Sequence, residues 1–284
     1  MLARRWNRSG SDMTLYLVNG STDAQVSPLD RGLAYGDGLF ETLRVHRGRI
    51  IFLEAHLARM QAGCTRLNLQ FNTEAFRPDL QQLLSREQPT DGVLKLVVTR
   101  GVGGRGYRPT AETSPVRIAS LHALPPESAS PGNAFVCRQR LSLQPALSGI
   151  KHLNRLEQVI ASMEWPDETF VEGLMLDYNG FPIEGTRSNL FVVHKGTILT
   201  PDLPACGIAG ILRQYLIEKL QPEVFVEAFD LHTLLDADEL FFCNSVLGIM
   251  PIAAVHTEST IVSFRETAVT ELAKQIFRTA LQTC

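Results

Sequence analysis

Apolar and polar residues alternate over several short stretches in the first half of the chain, the period of strands with one buried face. The spacing predicts strands at 15–18, 39–45, 50–53, 93–99 and 116–121, with a hairpin-like interval at 46–49. Between them the period lengthens. Leu53, Leu57, Met60, Cys64 and Leu67 recur at helical spacing, so a helix is expected over 54–67 and a second over 73–86. Residues 125–133 are proline-rich and polar and cannot continue a helix, which marks a linker.

Beyond the linker the apolar runs lengthen. A strand-like run over 135–143 leads through a turn at 147–150 to Lys151, which is expected at the mouth of an amphipathic helix. Asn179-Gly180 between apolar runs is a strong hairpin signal, and a second hairpin joins 189–193 to 197–200 around Lys195-Gly196. Further strands are expected at 239–242 and 249–255. Helices are expected at 211–220, with Leu212, Tyr215, Leu216 and Leu220 on one side, and from about 263 to 281. The class is α/β with an α+β N-terminal part. A smaller α+β domain (13–124) precedes the linker (125–133), and a larger strand-rich α/β domain (134–284) follows it. Residues 1–12 are basic and polar without the apolar centre of a secretory signal, and are expected as a tail outside the fold.

Composition narrows the function. At 284 residues the chain can build two cores, and 20% charged with 44% hydrophobic residues is ordinary for a globular protein. A net charge of -3, from 27 basic and 30 acidic residues, favours neither nucleic acid nor a membrane surface as partner. No apolar run reaches the length of a bilayer span. The five cysteines are scattered and lack Cys-x-x-Cys spacing, which argues against a disulfide framework and a zinc site, so a reducing cytoplasmic setting is expected.

Several segments could carry chemistry. An amine near apolar neighbours loses proton affinity and reacts with aldehydes, which suits Lys151, although most lysines are solvated. Glu184 opens a small-residue turn, 184–191, and could hold a ring nitrogen protonated; alone it fits a solvated turn equally well. The glycine-flanked stretch 206–213 enters a helix, where free amides favour a phosphate. Asn244-Ser245 offers a hydroxyl and an amide at a strand end, as plain turns also do. The loop 99–108 joins three arginines, a tyrosine and four glycines, a composition suited to small carboxylates or to a flexible surface loop. In 39–45, alternation puts Phe40, Thr42 and Arg44 on one face and Glu41 and Leu43 on the other, and the first face reads as a polar pocket. Arg59 lies off the apolar face of its helix and reads as solvated.

Taken in order, these segments resemble the fold-type IV pyridoxal-phosphate enzymes, the group of the D-amino-acid and branched-chain aminotransferases, with a closer likeness to the aminodeoxychorismate lyases within it. The matching stretches are 35–40, 56–59, 92–95, 99–107, 149–158, 184–191, 207–213 and 237–240 with Cys243-Asn244, and the likeness spans the chain from Leu15 onward. The Glu184 turn and the Gly207 helix entry mark the wider group. Gly103 to Tyr107 and Lys151 to Gln158 favour the lyases.

The resemblance implies pyridoxal 5'-phosphate held covalently by Lys151, which would also shuttle a proton. Glu184 would pair with the ring nitrogen. Arg59, the amides of Ile208 and Ala209, and Ser245 would take the phosphate. Arg105 and Tyr107 would handle substrate carboxylate, and the Thr42 hydroxyl would assist proton transfer. The implied reaction turns 4-amino-4-deoxychorismate into 4-aminobenzoate and pyruvate on the route to folate, in a homodimer. An aminotransferase acting on branched-chain or D-amino acids, or a non-catalytic binding protein of the same fold, stands as the alternative.

Overall fold

The computed structural model describes residues 15–110, 112–126, 131–220, 223–265 and 268–283. Five strands form the first sheet: β1 (Leu15–Val18), β2 (Gly38–His46), β3 (Arg49–Ile50), β4 (Asp91–Thr99) and β5 (Val116–His122). They run antiparallel in the order β1-β5-β4-β2-β3. Helices α1 (Arg31–Tyr35), α2 (Leu53–Arg66) and α3 (Phe76–Glu87) accompany them. The period-two pattern of β2 does its expected sorting: Leu39, Leu43 and Val45 pack with Leu57, Met60 and Cys64 of α2 and Phe76, Leu80 and Leu83 of α3.

A second sheet takes the rest: β6 (Gly132–Val136), β7 (Phe170–Leu176), β8 (Pro182–Gly185), β9 (Asn189–His194), β10 (Thr197–Thr200), β11 (Val224–Val226), β12 (Glu239–Asn244), β13 (Gly248–His256) and β14 (Ile261–Ser263). Its helices are α4 (Leu156–Ser162), α5 (Ile211–Lys219), α6 (Leu231–Leu235) and α7 (Ala268–Thr283). The order is β11-β10-β9-β12-β13-β6-β7-β8, and β8 pairs again with β9 through Glu184 and Asn189. That pair closes β9, β12, β13, β6, β7 and β8 into a ring and removes the sheet edge at β8. Both faces of its strands are buried. Leu190 and Val192 join one core cluster, while Phe191 stacks on Phe241 at 5.1 Å in another that also holds Leu212, Leu216 and Phe277. Near-continuous apolar runs are what such doubly covered strands require.

Four expectations change. Residues 50–53 do not continue as a strand: Phe52 turns the chain at φ 56° and Leu53 already begins α2. A short apolar run looks alike as strand or helix, and here it feeds two cores, Ile51 packing with the second sheet. The strand expected over 135–143 ends at Val136; beyond it only isolated bonds, such as Cys137 N–H to the Leu174 carbonyl, follow β7. The last helix begins at Ala268, because 261–263 pairs with β13 as β14 and Glu239 accepts the Thr270 amide at the helix start. Lys151 is not at a helix mouth, since α4 starts at Leu156 and Lys151 lies on an extended crossing segment. The expected linker falls between β5 and β6; its residues 127–130 and the expected tail at 1–12 lie outside the described residues.

The crossing segment joins the two sheets. The Phe40 amide donates to the Lys151 carbonyl and the Leu153 amide to that of Gly38, while Gly149 N–H donates to the Gly207 carbonyl and Ala209 N–H to that of Gly149. The segment is thereby an extra strand between β2 and residues 207–209. Phe191→Ala should cost about 3–5 kcal/mol, because it empties a fully buried stacking position. A lowered midpoint in urea unfolding at unchanged slope is the expected readout.

Candidate active site

Between the two sheets lies a cavity of about 740 Å³. Phe40 and Thr42 from β2 reach it, Lys151 from the crossing segment, Glu184 from β8, and the start of α5 with Ser245 from the β12–β13 turn. The structure therefore brings Lys151, Glu184, Thr42, Arg59, Ile208 and Ser245 to one place.

Lys151 Nζ sits 4.4 Å from the centre of the Phe40 ring. Its pKa falls from 10.5 to about 8, mainly through burial and then through Arg59 and Arg155, against the opposing pull of Glu41 and Glu184. Roughly a tenth of the amine is then neutral at pH 7, about three-hundredfold more than for a solvated lysine. Glu184 moves the other way, up to about 7. Burial drives it, only partly offset by the Ile208 amide that donates to Oε2 at 2.8 Å and by Arg155 and Lys151.

Glu41 is as buried as Glu184 but has the opposite character. Burial alone would raise its pKa, yet Arg59 and His56 outweigh that and hold it at about 2. Arg59 donates through Nε and Nη2 to both carboxylate oxygens and through Nη1 to the Ala209 carbonyl at 2.8 Å. His56 Nδ1 lies 2.7 Å from Glu41 Oε2. Burial lowers the pKa of His56 against the pull of Glu41, and its Nε2 is buried with no hydrogen-bond partner among the described residues. Helical spacing alone misses this triad and reads Arg59 as solvated, whereas the family resemblance places it at the phosphate. A signal was present: Glu41 shares the face of Leu43, and a carboxylate among core residues requires a cation from the facing helix.

Two expectations about the phosphate-type site shift. The Ile208 amide is committed to Glu184, and the Ala209 amide to the Gly149 carbonyl at 3.1 Å. The open amides come later, at the start of α5, where Gly210 is the cap residue and no side chain caps the helix. Ile211, Leu212 and Arg213 there have no acceptor among the described residues and line the cavity. A Cβ at 210 would stand 1.8 Å from Asn189 Oδ1, so a larger residue there would displace Asn189 from its bond to the Ile208 carbonyl. Gly210 opens the helix, not Gly207. Around the 186–188 turn, fully buried Glu172 accepts from the Thr186 amide and from the hydroxyls of Thr186 and Ser188, so this wall is built from within.

Arg105 and Tyr107 are not brought to the cavity. Both are exposed, and Tyr107 meets Tyr35 edge-on at 5.5 Å. Their loop is gripped from below: Arg31 donates to the carbonyls of Gly103, Gly106 and Tyr107, and shares Asp37 Oδ2 with Arg100. Residues that line the cavity without any sequence expectation include His56, His122, Arg155 and Asn189.

Among the described residues there is no helix long and apolar enough to cross a membrane, and no group of three or more potential metal ligands. A model of the amino-transferase class IV family matches residues 38–255. An aminodeoxychorismate lyase from Vibrio harveyi is 35% identical, over 88% of this chain and 94% of its own. A putative branched-chain-amino-acid aminotransferase from Methanocaldococcus jannaschii is 32% identical, over 84% of this chain and 87% of its own. The crystal structure of 4-amino-4-deoxychorismate lyase from Pseudomonas aeruginosa superposes with a TM-score of 0.85 at 43% identity, covering 93% of this chain and 98% of that one.

The raised pKa of Glu184 predicts a pH signature for the ligand-free protein. The unfolded chain releases this proton near 4.5 and the folded chain near 7, so the stabilisation present below 4.5 is lost as pH rises through 7. Relative to Glu184→Gln, the parent should lose on the order of 1–3 kcal/mol across that window. Urea unfolding of both proteins at pH 4.5, 6 and 8 checks it; a constant difference would contradict the assignment.

Proposed function

The chain belongs to the amino-transferase class IV family, and on that premise we propose that it is a pyridoxal 5'-phosphate-dependent lyase. Its substrate in this reading is 4-amino-4-deoxychorismate, and its products are 4-aminobenzoate and pyruvate, a step toward folate. One observation carries the reading: an amine of lowered proton affinity, a buried carboxyl without an ion pair among the described residues, and an open helix start share one cavity.

Those three features fit the cofactor. Glu184 is ready for a cationic ring nitrogen, whose charge would bring its pKa back down. The amides at Ile211 to Arg213, the unused N–H groups of Arg59 and the Ser245 hydroxyl suit a phosphate dianion. Lys151 supplies the amine that joins the aldehyde. This set replaces the amides of Ile208 and Ala209, which serve instead to position Glu184 and the crossing segment.

When bound, the cofactor withdraws electrons from the substrate carbon that carries the amine and makes its proton removable. Lys151 Nζ would take that proton, helped by burial and nearby cations that keep part of it neutral. The C–O bond to the enolpyruvyl group on the neighbouring carbon then breaks, and the ring becomes aromatic. The proton held by Lys151 is available to the departing enolate, with the Thr42 hydroxyl on the same wall as a relay. Glu41 acts at one remove by fixing Arg59. For Arg105 and Tyr107 a carboxylate-binding role would require their exposed loop to meet a cavity other than the one beside their own Lys151.

We place the enzyme in the cytoplasm, where the buried thiols of Cys64, Cys137, Cys206 and Cys243 stay reduced. We also assign it as a homodimer. Leu156, Val159 and Ile160 of α4, with its cap residue Met163, form an exposed apolar stripe at helical spacing, of which Val159 and Met163 border the cavity. A second copy would cover that stripe and narrow the cavity mouth. Light scattering should give twice the chain mass, and Ile160→Glu with Met163→Glu should shift it toward the monomer; a monomeric parent would contradict the assignment.

Purified protein should gain visible absorbance with pyridoxal phosphate, and should release 4-aminobenzoate and pyruvate from 4-amino-4-deoxychorismate in a coupled assay. Lys151→Ala should abolish that absorbance and lower turnover by about a thousandfold or more. Efficient transamination between amino acids and keto acids, with no 4-aminobenzoate formed, would replace this reading by the aminotransferase one.

A further inference from the structure

Arg155 is a cavity cation for which the proposed reaction has no task. It stands between Lys151 and α4, half-buried, with its side chain on the cavity wall. Nε donates to the His152 carbonyl at 3.0 Å and Nη2 to His152 Nε2, while Nη1 donates to nothing among the described residues. The histidine brings no charge, since burial, Arg155 and Lys151 depress its pKa to about 4. The groups that face Arg155 are Glu184 from β8, Lys151 and His152 from its own segment, and Glu157 from α4. Neither carboxylate forms an ion pair with it; Glu157 instead accepts from the Ser142 amide and hydroxyl, and Glu184 from the Ile208 amide. By contrast, Arg31, Arg59 and Arg100 each hold a carboxylate.

A guanidinium keeps its charge at any working pH, and on a cavity wall, with donors left over, it is placed to pair with an anionic ligand. No carboxylate among the described residues bonds to it, and its charge reaches both Lys151 and Glu184. We infer that Arg155 binds an anionic oxygen carried by the bound molecule beside the line from Lys151 to Glu184. The phosphate is a different anion, because its donors are Arg59 and the start of α5. Two sources share the required chemistry: the phenolate oxygen of the cofactor ring and a carboxylate of the substrate. The inference rests on the function proposed above.

Arg155→Gln and Arg155→Lys, each loaded with pyridoxal phosphate beside the parent, decide it. The first readout, without substrate, is the pH midpoint of the visible band of the lysine-bound cofactor. The second is inhibition by 4-aminobenzoate, with the separation of KM from kcat. If the anion is the phenolate, Arg155→Gln raises the midpoint by about 1 pH unit or more, and Arg155→Lys restores part of it. If it is the carboxylate, the midpoint stays and 4-aminobenzoate binding weakens about tenfold with KM rising in step, again partly restored by lysine. A midpoint moved by less than about 0.3 unit together with binding changed less than about twofold overturns the inference. A parent protein that takes up no cofactor would instead sink the proposed function, and the inference with it.

Discussion

The site depends on how one short stretch of backbone is held. Residues 149–153 bond to β2 on one side and to 207–209 on the other, so Lys151 is set by main-chain hydrogen bonds from both sheets. Ser148 anchors the entrance, its hydroxyl on the carbonyls of Leu203 and Cys206 and its own carbonyl on Arg66. Ile208, on the second rail, carries the amide that fixes Glu184. The amine and the carboxyl are thereby referenced to the same piece of chain, and their relation does not rest on side-chain packing. Placement of this kind is what a cofactor enzyme asks of its protein.

Onto that frame the chain writes two buried carboxylates of opposite habit. Glu41 and Glu184 suffer comparable desolvation, but Glu41 has a guanidinium and an imidazole in contact and stays ionised at about 2, whereas Glu184 has an amide in contact and rises to about 7. One is finished by the fold; the other is left incomplete, and that incompleteness is the functional clue. Arg155 is its cationic counterpart, with hydrogen bonds from the protein and no charge partner.

Much of this was legible before any coordinates. Alternation in β2 placed Phe40 and Thr42 on the cavity side, and Asn179-Gly180 and Lys195-Gly196 marked two hairpins that form. Lys151, Glu184 and Ser245 were named from motif order and share the cavity. The misses have physical causes. Short elements such as α1, α6, β11 and β14 span too few residues to show a period. The helix was expected where α5 lies, but its phosphate-binding amides were placed at Ile208 and Ala209, three residues early. Gly207 and Gly210 both flank the entry, and only their conformations, left-handed at Gly207 and extended at the Gly210 cap, tell them apart. Arg59 looked solvated because its partner lies 18 residues away on a strand, a pairing invisible to local spacing. The loop holding Arg105 and Tyr107 carries apt chemistry, but side-chain type does not reveal which wall a loop faces.

The ring of the second sheet closes through Glu184 and Asn189, and the same two residues touch the 207–210 segment. A chain whose ring is still open lacks the wall that receives the cofactor. The β8–β9 contact is local, but the ring is complete only when β6 has paired with β13 across more than a hundred residues, a slow class of contact. Ligand competence is thus a late folding event, and the first moment at which cofactor can be captured reports on completion of the ring rather than on collapse of the core.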